Sequence, residues 1–455
     1  MPEFIEIPPD PSNEIQMLSK IGYTLETALS DIIDNSISAG AKNIEILSLP
    51  KEEIFWSVID DGIGMDSSEL IENMRIGCKD PTKEREQMDL GRFGAGMKTA
   101  SISQAREVTV FSKTKTSKLS AAKWDVEKIC EAKKWNLQLL SQKEYPSFDY
   151  LKLENNRSGT QVCWENLSRY SEQDHLIAER LHAEDIVRVK KHLSIHFHKF
   201  MSGKNKINFT VNGDLLKPTD PFMSNLNGYD EGPSSEFRIK NNERIYIKVH
   251  NIPHWSKLSK ENLDFYGGQS EITKKQGLYI YRANRLIIEG GWMGLTGNSQ
   301  LGDLARVEIN IPVSLDEEWK TDVKKSSLQL PPKIKTMLRE MIRTPIKKSK
   351  RTYKYRGSKE ESNPYWIKRK NEREDIFTYE INNENQELIS LLEKMNKKDY
   401  KLLGAYLKKL ALNLPINDIY YQMNDKPLDL KQEFLEEKYK NDADIINAIL
   451  ERMND

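Results

Sequence analysis

"TLETALSDIIDNSISAGAKNIEILSL", residues 24–49, is the stretch on which the fold turns. Over 24–39, Leu25, Leu29, Ile32 and Ile33 share one face of a helix. Asp31, Asn35 and Ser38 fall on the other side, at i, i+4 and i+7 spacing. Gly40 predicts where the helix stops. "KNIEILSL" and "IFWSVID" then predict two strands joined through "PKEE". A helix with a carboxylate one turn before an amide is either a solvated face or one wall of a site. The downstream residues choose between these.

The chain has 455 residues, enough for two or three domains with full cores. Lys+Arg and Asp+Glu both number 69, so global charge makes no case for a nucleic-acid or membrane partner. No apolar run approaches the roughly 18–20 residues of a membrane span. The acidic, Pro-rich start "MPEFIEIPPDPSNE" does not read as a signal peptide. Cys78, Cys130 and Cys163 form no CxxC pair and no disulfide framework. These features together predict a cytoplasmic protein.

Further along, helices are expected near 67–76 and 96–105, flanking the polar stretch "GCKDPTKEREQMD" and the Gly-rich "LGRFGAGMKTAS". Strands are expected in "REVTVFSKT", "LSAAKWDV", "WNLQLLS", "YLKLE" and "GTQVCWENL". A long helix near 180–204 marks a change of character. Strand runs such as "KINFTVNGDLL", "ERIYIKVHNI", "GLYIYRANRLII" and "LARVEINIPV" follow it. The division read from this pattern is 1–180, 181–332, a basic linker 333–371 and a helical region 372–455.

Three motifs carry chemistry. In "DDGIGMD", a strand ending in Asp60 sets a carboxylate at a pocket lip, where it can accept from an exocyclic amine. Gly62 and Gly64 let the backbone come close to a ligand, and Met65 can pack on a flat ring. In "GRFGAGMKTAS", Gly91, Gly94 and Gly96 lead into a helix start, an anion site to which Lys98 adds charge. The spacing is neither a Walker A loop nor a Rossmann fingerprint. In "RSGTQVCW", Thr160 at a strand start offers a hydroxyl and an N–H. Taken singly, each also fits a tight turn or a capped helix.

In this order and at these spacings, the four elements resemble the GHKL superfamily over about residues 20–170. Its members include DNA gyrase B subunits, the ninety-kilodalton heat-shock chaperone, histidine kinases and MutL-type proteins. The resemblance implies an α+β fold. A Bergerat-type α/β sandwich that binds ATP would be followed by an α/β transducer-like domain and a helical C-terminal segment. It further implies that Asn35 holds Mg²⁺ through its side-chain oxygen, that Asp31 is the general base, and that Asp60 reads the adenine amine. Gly62, Gly64 and Met65 would shape the pocket, and Thr160 would support the adenine side. Gly91, Arg92, Phe93, Gly94, Ala95, Gly96, Met97 and Lys98 would form the lid hinge and phosphate cradle. The family usually has Glu where Asp31 stands. A base one methylene short implies slow hydrolysis with binding intact.

The resemblance is nearest to prokaryotic MORC-like ATPases, through "ALSDIIDNSISAGA", "IDDGIGMD", "GRFGAGMKTAS" and "GLYIYRANRLI", and covers about 20–330. It implies a second-domain lysine on the terminal phosphate: Lys325 in "VKKSSL", or Lys324 by register. It also implies an ATP-bound homodimer that clamps DNA. Bacterial relatives often stand beside nucleases, helicases or methyltransferases in anti-phage or restriction-like systems, which implies a separate partner effector. Independently, Lys333 to Arg356 contains ten basic residues and one acid, Glu340. Lys347, Lys348, Lys350 and Arg351, with Tyr353 and Tyr355 nearby, could neutralise phosphates of DNA. Two other readings stay open: a nucleotide-regulated interaction scaffold, and a chaperone-like clamp for protein clients.

Overall fold

The computed structural model describes residues 5, 7, 9–50, 53–77, 96–145, 148, 150–238, 244–295, 304–312, 330–331, 334–339, 341, 364–371 and 376–414. Eight strands form the first sheet: β1 (Asn43–Leu47), β2 (Trp56–Asp60), β3 (Glu107–Lys113), β4 (Ser120–Asp125), β5 (Gln138–Leu140), β6 (Gly159–Glu165), β7 (Asn208–Val211) and β8 (Asp214–Leu215). Their order is β5-β4-β3-β6-β2-β1-β7-β8. β1 and β7 run parallel, and the other neighbours pair antiparallel. The first sheet therefore runs on to Leu215, past the change of domain read at residue 180.

Helices α1 (Pro11–Ser19), α2 (Leu25–Ser38), α3 (Ser67–Met74), α4 (Gly96–Gln104), α5 (Val126–Ala132), α6 (Ser168–Ser171) and α7 (His175–His196) accompany this sheet. The main core joins α2 residues Leu29 and Ile33 to Trp56, Val110, Trp164, Phe197 and Phe209. A second, aromatic layer of Phe55, Phe111, Tyr145, Phe148 and Tyr150 packs with Ile59 and Cys163. Layers on both faces explain why β2 is buried at every residue, Ser57 and Asp60 included. Burial also pushes the Cys163 thiol up to about 12. No helix among the described residues is long and apolar enough to cross a membrane.

α2 starts where the sequence places it. Thr24 Oγ1 accepts from Thr27 N at 3.4 Å, and Thr27 Oγ1 accepts from Thr24 N at 3.0 Å, a reciprocal cap. One strand reading does not hold, and another holds but ends early. "YLKLE" gives only a short turn, Leu153–Asn155. Its backbone is satisfied by a buried side chain instead of a neighbouring strand. Gln161 accepts from Lys152 N (3.1 Å) and Leu153 N (3.3 Å) and donates to Tyr150 O (3.1 Å). "LSAAKWDV" stays extended only to Asp125, whose carboxylate then caps α5 through Lys128 N at 3.1 Å.

Buried Asp185 ties α7 to its surroundings. It accepts from Arg169 (2.6 and 2.9 Å) and Tyr170 (2.7 Å). Arg188, one turn on, also reaches Glu26 of α2 at 3.2 Å. On the same helix the His192 and His196 rings stack at 3.8 Å, and His192 Nε2 meets Ser30 Oγ of α2 at 3.1 Å. Burial, with the Arg285 and Lys275 charges, pulls His192 down from 6.5 to about 3. The unfolded chain therefore takes a proton near pH 6.5 that the folded chain refuses. Stability should fall as pH drops from 7 to 5, by about 2 kcal/mol through this one ring. Thermal unfolding at both pH values checks this: His192→Asn should lose less on acidification than the unsubstituted protein.

A second sheet, β9 (Asp230–Arg238), β10 (Arg244–Asn251), β11 (Gly277–Arg282), β12 (Arg285–Glu289) and β13 (Ala305–Ile311), has the order β12-β11-β13-β10-β9, with β11 parallel to β13. Its core of Ile245, Ile247, Leu278, Ile280, Val307 and Ile309 is capped by Leu330, Ile334 and Leu338. Residues 355–455 form a separate unit. Where the sequence suggests linker and helices, this unit has a hairpin, Trp366–Asn371 with Ile376–Ile381, before helices Gln386–Glu393 and Lys397–Leu412. The β-branched and aromatic residues of Ile376–Ile381, "IFTYEI", are a strand signal beside the basic run "KRK" at 368–370.

Candidate active site

The sheet register gathers the separated motifs. β6 lies between β2 and β3, pairing Ile59 with Gln161 and Ser112 with Thr160. Asp60 at the end of β2 thus stands beside Thr160. Asp60 is 5% exposed. Its Oδ1 accepts from Gly62 N (2.9 Å) and Thr160 N (3.3 Å), and its Oδ2 accepts from Ser36 Oγ of α2 (2.8 Å). Burial pushes its pKa up, against the pull of these three hydrogen bonds. Neighbouring Asp61 behaves oppositely. Partial burial acts to raise it, but hydrogen bonds from Asn43 and Lys42 prevail and hold it below the usual range. Of the two, only Asp60 is joined to α2 and β6.

Glycine at 64 and 159 answers to the chain's own packing. Gly64 has φ +68°, and a Cβ there would lie 1.9 Å from Lys113 O. Gly159 has φ +143°, and its Cβ would lie 2.0 Å from Asp60 O. A side chain at either position would force apart the strand ends that hold Asp60. Ser112, which the sequence reading missed, joins this corner. It accepts from Met65 N at 2.9 Å, donates to Gly159 O at 3.1 Å, and lies 2.9 Å from Thr160 Oγ1. Nothing in the sequence singles it out, since β3 also carries the hydroxyl residue Thr109. Met65 packs part-buried against the main core.

Asp31 is 4% exposed, whereas Asn35, one turn on, is exposed. Tyr23 Oη donates to Asp31 Oδ2 at 2.9 Å. A Cβ on Gly96, the first residue of α4, would stand 3.4 Å from that same oxygen. The Asp31 carboxylate therefore meets the start of α4, with Tyr23 aiming the acid and the Asn35 amide one turn along α2. Met97 packs part-buried on the core. Lys98 is buried, and its ammonium donates to the Arg75 carbonyl at the end of α3. Gly91, Arg92, Phe93, Gly94 and Ala95 lie outside the described residues, as do Cys78, Lys324, Lys325, Lys347, Lys348, Lys350 and Arg351.

Among the described residues no three His, Cys, Asp or Glu side chains converge as a metal cage. A single exposed amide oxygen fits a hard cation that keeps water and takes its other ligands from phosphates, which is how Mg²⁺ is commonly held. A cavity of about 590 Å³ opens elsewhere, at the N-terminal end of α2, lined by Lys20, Tyr23, Glu26, Gln104, Arg106 and Arg188 among others. It contains none of Asp31, Asn35, Asp60, Met65 or Thr160. Side-chain chemistry, and not volume, locates the site.

Residues 23–160 match the family described as histidine kinase-, DNA gyrase B- and HSP90-like ATPase. A 90-residue stretch is 30% identical to ATPase MORC2B of Mus musculus. That match takes in 19% of this chain and 9% of the relative's length. The matched segment opens at Tyr23, which holds Asp31, and closes at Thr160, which holds Asp60. Residues 23–160 are thus similar to the GHKL-type ATPases, and a shorter stretch is similar to a MORC protein.

Proposed function

We propose that the protein binds ATP with Mg²⁺ in the corner between α2, the Asp60–Met65 turn and the start of α4, and hydrolyses it slowly to ADP and phosphate. The observation that carries this reading is the convergence on α2 of two buried carboxylates with different partners. Asp60, locked by Ser36, Gly62 and Thr160, offers a fixed acceptor to an adenine amine. Asp31, aimed by Tyr23 beside Gly96, is set for a base next to the phosphates. Met65 would pack on the base, and Thr160 would support it.

In the hydrolytic step Asp31 accepts a proton from water as the water oxygen attacks the γ-phosphorus. The bond to the β,γ-bridging oxygen breaks, and ADP departs with that electron pair. Asn35 would hold Mg²⁺ through its side-chain oxygen; when bound, the ion neutralises charge developing on the phosphates. Gly91 to Lys98 would supply the lid hinge and cradle, and Lys325 or Lys324 would reach the terminal phosphate. Such a lysine would let ATP and ADP favour different domain arrangements.

ATP-driven homodimerisation and DNA clamping complete the proposal, with Lys347, Lys348, Lys350 and Arg351 on the DNA backbone. A cytoplasmic anti-phage or restriction-like role, with a nuclease or helicase as separate effector, is the setting this reading favours. The experiment is a hydrolysis assay with and without DNA, run beside size-exclusion mass measurement in ADP and in a non-hydrolysable ATP analogue. Stimulation by DNA and a doubled mass with the analogue are expected. Replacing the four basic residues by Glu should abolish DNA retention; unchanged retention removes this segment from the account.

A second reading, a nucleotide-regulated scaffold or protein clamp, draws support from helix Lys397–Leu412. Leu402, Tyr406 and Leu410 repeat every four residues there and are 62%, 62% and 45% exposed, an apolar stripe suited to a protein partner. Nucleotide binding without DNA stimulation or DNA retention would favour it.

A further inference from the structure

Asp34 stands between Asp31 and Asn35 on α2 and points to neither role. It is 1% exposed, and Arg285 Nε, arriving from the second sheet, lies 3.3 Å from its Oδ1. Arg285 opens β12, directly after the turn residues Ala283 and Asn284, whose φ values are +45° and +68°. Its guanidinium carbon sits 4.0 Å from the Phe197 ring centroid, just past α7, and its Nη1 donates to Leu286 O at 2.9 Å. Burial works to lower its pKa, and the charges of Asp34 and then Asp31 oppose this. One turn of α2 is therefore held at two points, by Ser30 on His192 of α7 and by Asp34 on Arg285 of the second sheet. The same turn bears Asp31 and Asn35.

A buried pair of this kind adds little net stability, because desolvating two charges offsets their attraction. Its geometric effect is larger. The tight turn at 283–284 gives Arg285 little freedom to follow a shift of α2. A rotation of α2 that moved Asp34 away from Arg285 would swing Asp31, three residues earlier on the helix, off its line to the phosphates. We propose that Arg285 is a positioning residue of the nucleotide site: through Asp34 it sets the seat of α2, so that the second domain governs the aim of Asp31. This rests on the reading of Asp31 as the base.

The test measures kcat, KM, ATP affinity and thermal midpoint on the full chain. The variants are Arg285→Lys, Arg285→Met/Asp34→Asn and Asp31→Ala. Arg285→Lys keeps the charge but loses the planar fork, and should lower kcat at least tenfold while ATP affinity stays within threefold. The double variant removes both charges, so it folds without a stranded ion. Its midpoint should match the unsubstituted protein while kcat stays at least tenfold down. If the double variant regains both midpoint and kcat, the pair is only structural and the proposal fails. A normal kcat in Arg285→Lys overturns it as well. Should Asp31→Ala hydrolyse ATP normally, the base assignment falls, and with it the route by which Arg285 acts. If Asp31→Ala is inactive but the Arg285 variants are not, only the positioning role falls.

Discussion

Asp31→Ala is expected to lower ATP turnover by about 10²–10⁴-fold, the usual contribution of a positioned general base. ATP affinity should change little, because Asp60 and Asn35, proposed for the adenine and the metal, are left in place. The geometry explains both halves. Asp31 is buried, with Oδ2 held by Tyr23 at 2.9 Å, so its aim is fixed by that contact. Steady-state kinetics with a coupled phosphate assay, beside a fluorescent-nucleotide titration, separates the two effects. A variant that turns over ATP at the unsubstituted rate would remove Asp31 from the chemistry.

Asp60→Asn is expected to weaken ATP binding by about 10–150-fold, the equivalent of the roughly 1.5–3 kcal/mol carried by a hydrogen bond to a charged group. Asp60 presents acceptors on both oxygens, to Gly62 N and Thr160 N on one side and Ser36 Oγ on the other. An amide supplies one acceptor and one donor. Either its NH₂ faces the backbone N–H groups, or it turns towards Ser36 and the adenine amine. One set of partners loses its acceptor in either orientation. Calorimetric titration with ATP measures the loss, and turnover at saturating ATP should fall far less than affinity. Unchanged affinity would mean that the adenine is read elsewhere. The two variants form a pair: one should damage kcat and the other binding, on carboxylates joined through a single helix.

Much of this was legible before any coordinates. The apolar face of 24–39 and the glycine at 40 placed α2 to within a residue, since a helix with four large apolar residues at helical spacing has few alternatives. The order of the motifs at 31–35, 60–65, 91–98 and 160 indicated the family. Less legible was the span 150–154, where Gln161 takes over the backbone hydrogen bonds of an expected strand. The hairpin at 366–381 was hidden by its charge.

By itself the sequence determined which side chains can do chemistry and on which local elements they sit. A periodic apolar face, a capping threonine and a glycine stop act within a few residues of themselves, and so can be read in one dimension. Only the tertiary structure decided what each side chain touches. Ser112 met Thr160 because β3 and β6 pair in that register. Tyr23 became the partner of Asp31 through the turn into α2. Asp34, an unremarked neighbour in the sequence, acquired Arg285 from 251 positions along the chain. The contacts of Ser112 and Asp34 depend on strand register and packing between distant segments, and no local pattern encodes them.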